Sequence, residues 1–217
     1  VSIAYTDSVV PVDGTSGGDC GQLRTQTQGG WGSPANGNNP GAYRDAHFED
    51  AFPNGVVIGC DYTLTLTSAA AVEAFLPNGG PIKVLEENLV DPINFRTVLA
   101  GQLVAATLSA GFDAAEESFS ESEADLGDYT LSSGAMIGLT VSEVIAEANA
   151  FIGGCESAYS GSELNTTLTA INESFVDGSG QGGTLNCPES TGTGDCVKIY
   201  RTWTATDACG NTVSCTQ

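Results

Sequence analysis

His47 is the one histidine of the chain, and it stands in "YRDAHFEDAF" with Asp45, Glu49 and Asp50 close by. An imidazole among carboxylates is the raw material of metal ligation or general acid–base catalysis. Either role needs more: a second nitrogen or sulfur ligand, or a nucleophile within reach. The one GxSxG match, at Ser16 in "GTSGGDCG", lacks the strand-to-helix setting of a nucleophile elbow, and the sole His would have to serve any serine triad. The cluster reads as a solvated helix face, so no catalytic residue is assigned and the chain is read as a non-enzyme.

Asp113, Glu116, Glu117, Glu121, Glu123, Asp125 and Asp128 form an acidic stretch between two helical elements. Clustered carboxylate oxygens suit Ca²⁺, and Asp113, Glu117, Asp125 and Asp128 are the candidate ligands. Their spacing lacks the central Gly and terminal Glu of the EF-hand loop, so a solvated acidic surface without a bound cofactor is the favoured reading. "GTSGGDCG" and "GSGQGG" lack the strand-to-helix setting and the Lys of a phosphate loop and read as linkers. "NTT" at Asn165 and "NES" at Asn172 fit the N-glycosylation sequon but fall inside a predicted helix. Ser8, in "DSV", is a candidate for O-glycosylation.

Seven cysteines are spread through Gly-, Thr- and Ser-rich sequence with no CxxC pair. With a single His this argues against zinc and for disulfides in an oxidising compartment. Proximity offers Cys209 with Cys215 and Cys187 with Cys196; Cys60 with Cys155 could staple the middle of the chain. Cys20 would then be free or paired between subunits. Spacing alone leaves this connectivity open.

Six Lys+Arg against 27 Asp+Glu give a formal net charge of -21. Such a surface repels nucleic-acid phosphates and anionic lipid, which excludes nucleic acid as a partner. No apolar run approaches the ~20 residues of a membrane span, and Val1 follows no signal-peptide pattern, so a mature extracellular product without membrane insertion is expected.

These side chains must be carried by elements, and composition changes twice along the chain. Residues 1–20 read as an N-terminal strand and linker: Val1, Ile3 and Tyr5 alternate with Ser2, Ala4 and Thr6. Residues 21–178 hold nearly all the helical signal, and 179–217 return to strand patterning. In the middle, "QGGWGSPANGNNPG" is a loop with Trp31 its only large apolar group. A short helix is predicted over 41–51. "VVIGCDYTLTLTS" reads as a strand reaching Ser68, an N-cap for "AAAVEAFL". The strongest helix is predicted over 94–111, with Phe95, Val98, Leu99, Leu103 and Ala106 on one face. Thr140 with Glu143 and Ser160 with Glu163 make capping boxes for two more helices. Near the end, Val197, Ile199 and Trp203 form the apolar face of a period-2 strand.

The tail "YRTWTATDACGNTVSCTQ" resembles the repeat signature of HYR-like, immunoglobulin-type modules found in tandem in large secreted bacterial surface proteins. The Arg-Thr-Trp strand, the Asp-x-Cys-Gly-Asn turn and the second Cys fall in order over residues 187–217. The middle, with "LAGQLVAATLSAGFD" and "LNTTLTAINESFVDG", is similar to a segment of unknown function in such proteins, and no activity comes with the resemblance. It implies an α+β chain: an immunoglobulin-like β-sandwich module carrying an inserted, mainly helical module. In that family a further strand follows the Cys after the turn. Here the sequence stops at Gln217, and the expectation is a strand supplied from the same chain or donated by a neighbour; the alternatives are one repeat cut from a longer chain, or an ordinary first strand at the N-terminus.

"VSIAYTDSVV" resembles that further strand. Val1, Ile3, Tyr5 and Val9 are accordingly the candidate assembly strand, and Val197, Ile199 and Trp203 the floor of the acceptor groove. The expectation is a secreted structural subunit that partners itself, assembling head to tail into an extracellular filament or surface layer. The alternative is a monomeric adhesive module that binds surface glycans through Trp31 and Tyr43.

Overall fold

The computed structural model describes residues 2–11, 22–122, 124–179, 183–188, 197–206 and 212–216. In chain order the elements are β1 (Ser2–Pro11), α1 (Gln28–Trp31), α2 (Pro40–Ala51), β2 (Val56–Gly59), β3 (Thr63–Leu66), α3 (Ala69–Phe75) and β4 (Leu89–Val90). There follow α4 (Val98–Ala115), a 3-10 turn at Leu126–Asp128, β5 (Thr130–Leu131), α5 (Val141–Ile152), α6 (Gly161–Glu173), β6 (Leu185–Asn186), β7 (Val197–Thr206) and β8 (Thr212–Thr216). They fall into two units: Asp19–Pro188, and the two chain ends Val1–Gly18 with Glu189–Gln217.

The larger unit is built around α4. Its sequence, VLAGQLVAATLSAGFDAA, mixes large apolar groups with Ala and Gly, so neighbours can approach closely on several sides. Ten of its residues are buried, among them Leu99, Leu103, Leu108 and Phe112, and it packs against α5, α6 and β2. Its length and apolarity reach the minimum for a membrane span, but this burial is that of a core helix. The surrounding helices start where the sequence places caps. Thr140 Oγ1 accepts the Glu143 N–H at 3.1 Å while Glu143 Oε2 accepts the Thr140 N–H at 2.8 Å, and Ser160 with Glu163 repeats the arrangement. Ser68 caps α3.

The run read as one strand up to Ser68 is a hairpin. Gly59 takes φ +113 and turns the chain through Cys60–Tyr62, so that Val56–Gly59 pairs antiparallel with Thr63–Leu66. Val56, Ile58, Leu64 and Leu66 point into the core. β4 adds to β3 in parallel, and β5 pairs with β6.

The smaller unit is one antiparallel sheet of order β1-β7-β8. The immunoglobulin-like sandwich is therefore a correction. Among the described residues there are sheets of three, three and two strands, and no sandwich is evident. A sandwich needs about seven strands in two packed layers. Of the strands after residue 179, β6 is taken up by β5 in the helical unit, which leaves β7 and β8 with β1 as a single layer.

Candidate functional site

The feature with most reach in sequence is the ladder between β1 and β7. It runs unbroken and antiparallel from Ser2↔Thr206 to Pro11↔Val197. Within it Ile3 stands opposite Ala205, Tyr5 opposite Trp203, and Val9 opposite Ile199. Of the residues singled out from sequence, Tyr5 and Val9 stand opposite Trp203 and Ile199, while Ile3 is opposite Ala205 and Val197 opposite Pro11. On its other edge β7 pairs with β8, where Trp203 faces Cys215. The N-terminal strand lies on the β7 edge away from β8, and not beyond Cys215. Ser8 is opposite Tyr200 in the ladder. Val1, Cys20, Cys196 and Cys209 lie outside the described residues.

Cys60 and Cys155, the pair that could staple the middle of the chain, are joined by a disulfide with Cα atoms 6.1 Å apart. It fastens the β2–β3 turn to the end of α5, where the Tyr62 N–H also donates to Gly153 O at 3.0 Å. Asp61 lies beside the two sulfurs, but sulfurs in a disulfide offer no thiolate to a metal. Cys187 is also disulfide-bonded.

The carboxylates around His47 disperse. Asp45 pairs with Arg44, whose buried guanidinium also holds Glu73 at 2.6 Å and donates to Trp31 O. Glu49 and Asp50 are exposed. His47 stacks on Tyr43 at 4.2 Å and approaches Glu116 at 3.5 Å. Among the described residues no nucleophile joins them.

The acidic stretch is also spent locally. Asp113 Oδ2 accepts the Leu126 N–H at 2.5 Å, tying α4 to the 3-10 turn. Burial holds its carboxyl above the usual range, opposed by hydrogen bonds from Ser120 and Leu126. Among the described residues, Asp113, Glu117, Asp125 and Asp128 do not converge into a metal-sized group. Asn172 is buried and donates to Gln102, which removes it as a glycosylation acceptor.

Trp31 is fully buried, its Nε1 donating to Ser109 Oγ at 3.1 Å and its ring 5.0 Å from Phe112 and 6.0 Å from Phe119. It has no free face for a sugar. The loop sequence misled here because α1 is held inward by contacts distant in sequence.

One polar residue passed unnoticed. Arg24 sits with its guanidinium carbon 5.0 Å from the centroids of both the Tyr43 and Phe119 rings. The available signal was scarcity, since only six cations face 27 acids. Tyr43 is half-buried, and burial pushes its hydroxyl up.

Comparison with protein-family models, curated proteins and solved structures finds no match to this chain. Nothing in these comparisons identifies an HYR-like repeat in the tail.

Proposed function

We propose that the chain is a structural subunit of an extracellular filament or surface layer, and that subunits join when β1 of one chain pairs with β7 of the next. The observation that carries the reading is the unbroken ten-residue register between β1 and β7.

The physical argument is one of equivalence. A ladder of this length makes on the order of ten hydrogen bonds, each worth about 0.5–1.5 kcal/mol net. The same bonds form whether β1 folds onto its own β7 or onto a neighbour's, so the choice between closed monomer and open chain rests on effective concentration and not on contacts. An exchanged β1 makes a heterologous contact, since the donor strand and acceptor edge are different surfaces. Repeated, that contact yields fibres, by the strand-addition physics that joins pilus subunits.

Disulfides at Cys60–Cys155 and Cys187 suit an oxidising compartment. The strong net negative charge favours solubility until a directional contact forms.

Negative-stain microscopy and sedimentation of the full chain, compared with a variant lacking residues 2–11, test the proposal. Polymers are expected from the first and none from the second, with the helical signal retained. Polymers that survive the deletion would place the joint elsewhere, and a strictly monomeric full chain at all concentrations would refute assembly.

A further inference from the structure

Among the described residues Arg24, Lys83 and Arg96 have no carboxylate partner, and of these Arg24 alone has a buried N–H without an acceptor. Arg44 is buried against two carboxylates, whereas no carboxylate among the described residues lies within 4.0 Å of Arg24. Its Nε is sealed from water and has no acceptor in reach. A group sealed from water is sealed from a ligand as well, so an outside acceptor would meet the terminal Nη groups, which have no hydrogen-bond or carboxylate partner among the described residues.

The guanidinium is nevertheless held in place. The Tyr43 and Phe119 centroids are 5.3 Å apart and each is 5.0 Å from the Arg24 guanidinium carbon, so the cation rests in the notch between two rings. Phe119 is itself fixed against Trp31 and Phe112. A planar donor immobilised in this way loses little further freedom when it takes a ligand.

Arg24 lines a cleft of about 280 Å³ together with Gln22, Ser118, Ser120, Glu121 and Asp177. The walls are pinned to one another. The Glu121 N–H donates to Gln22 O at 2.9 Å, the Gln22 side-chain amide donates to Gly178 O, and the Thr25 N–H donates to Phe175 O at 3.0 Å. The two acids of the cleft do not close on Arg24. Asp177 Oδ1 is taken by Gln26 Nε2 at 2.7 Å, and Glu121 is exposed.

We infer that this cleft binds a small hydroxylated monocarboxylate of the uronic-acid type. Arg24 supplies the planar, charge-assisted donor that a carboxylate matches. Ser118 and Ser120 can donate or accept, and Glu121 and Asp177 accept, which suits the hydroxyls of a sugar ring. The volume lies at the small end of ligand sites and admits one ring rather than a chain of them. A monoanion is favoured over a phosphate because each added negative charge meets a protein of net charge -21. The site is independent of the strand ladder, which lies in the other unit.

Titration of the full-length chain with D-galacturonate, followed by saturation-transfer NMR and calorimetry, tests the inference, with D-galactose as the neutral control at matched ionic strength. Saturable binding of galacturonate at millimolar concentrations is expected, with none of galactose. Arg24→Gln should weaken it by about tenfold or more, the share of a charge-assisted pair. Should that variant misfold, acetate should still displace galacturonate from the parent chain, and failure to displace it would overturn the carboxylate reading. Equal binding of the two sugars, no saturable binding, or undiminished affinity in a folded Arg24→Gln protein would overturn the inference.

Discussion

Replacing Cys60 and Cys155 together by Ser removes a cross-link that spans 95 residues. The effect can be worked from loop entropy. For a loop of this size the chain-entropy relation gives a loss near 16 cal/mol/K, or about 4.7 kcal/mol at 25 °C. The native state should change little, because the same two segments are also tied by the Tyr62 N–H to Gly153 O bond and by the Gly59 N–H to Asn149 Oδ1 bond at 2.8 Å. The loss therefore acts through the unfolded chain. Urea unfolding followed by far-ultraviolet circular dichroism should show the midpoint falling by roughly 1.5–5 M for a slope of about 1–3 kcal/mol/M. A drop in stability below about 1 kcal/mol, with the native spectrum intact, would refute the loop-entropy reasoning.

Gly153→Ala should destabilise by about 1–3 kcal/mol in the same assay, because a Cβ there would stand 1.9 Å from the Cys60 backbone nitrogen; an unchanged midpoint would contradict that packing. Thr140→Ala removes the N-cap of α5 and should cost about 1 kcal/mol. The folded-state pKa of Asp113 is raised above its ordinary 3.8, so its protonated form is the stabilised one. Its contribution is complete below that value and is lost as pH rises through the raised pKa. Asp113→Asn should flatten the stability profile from pH 4 upward and be no less stable than the parent at pH 7, which pH-resolved thermal unfolding would check.

Local chemistry was legible in the sequence. The caps at Ser68, Thr140 and Ser160 depend on neighbours three residues away, and each starts its helix as read. The helix predicted over 94–111 forms at Val98–Ala115, because Asn78, distant in sequence, takes the Thr97 N–H on its Oδ1 and donates to Phe95 O. Period-2 patterning located β7 but carries no information on how many layers a sheet has, and the sandwich inferred from resemblance did not form. Trp31 sits in a Gly/Asn/Pro run that looks exposed, while its burial is decided by Ser109, Phe112 and Phe119, 78 or more residues on. Arg24 was overlooked because a cation–π notch has no sequence motif.

The central claim is that β1 leaves its own chain. Thr6 and Thr202 stand directly opposite each other in the ladder. A variant carrying Thr6→Cys and Thr202→Cys, oxidised at high protein concentration and run on a non-reducing gel, reports whose β7 each β1 has found. Strand exchange predicts a covalent series of dimers, trimers and longer chains that collapses to monomer on reduction and is absent from either single variant. A fully cross-linked species that runs only as monomer would contradict it.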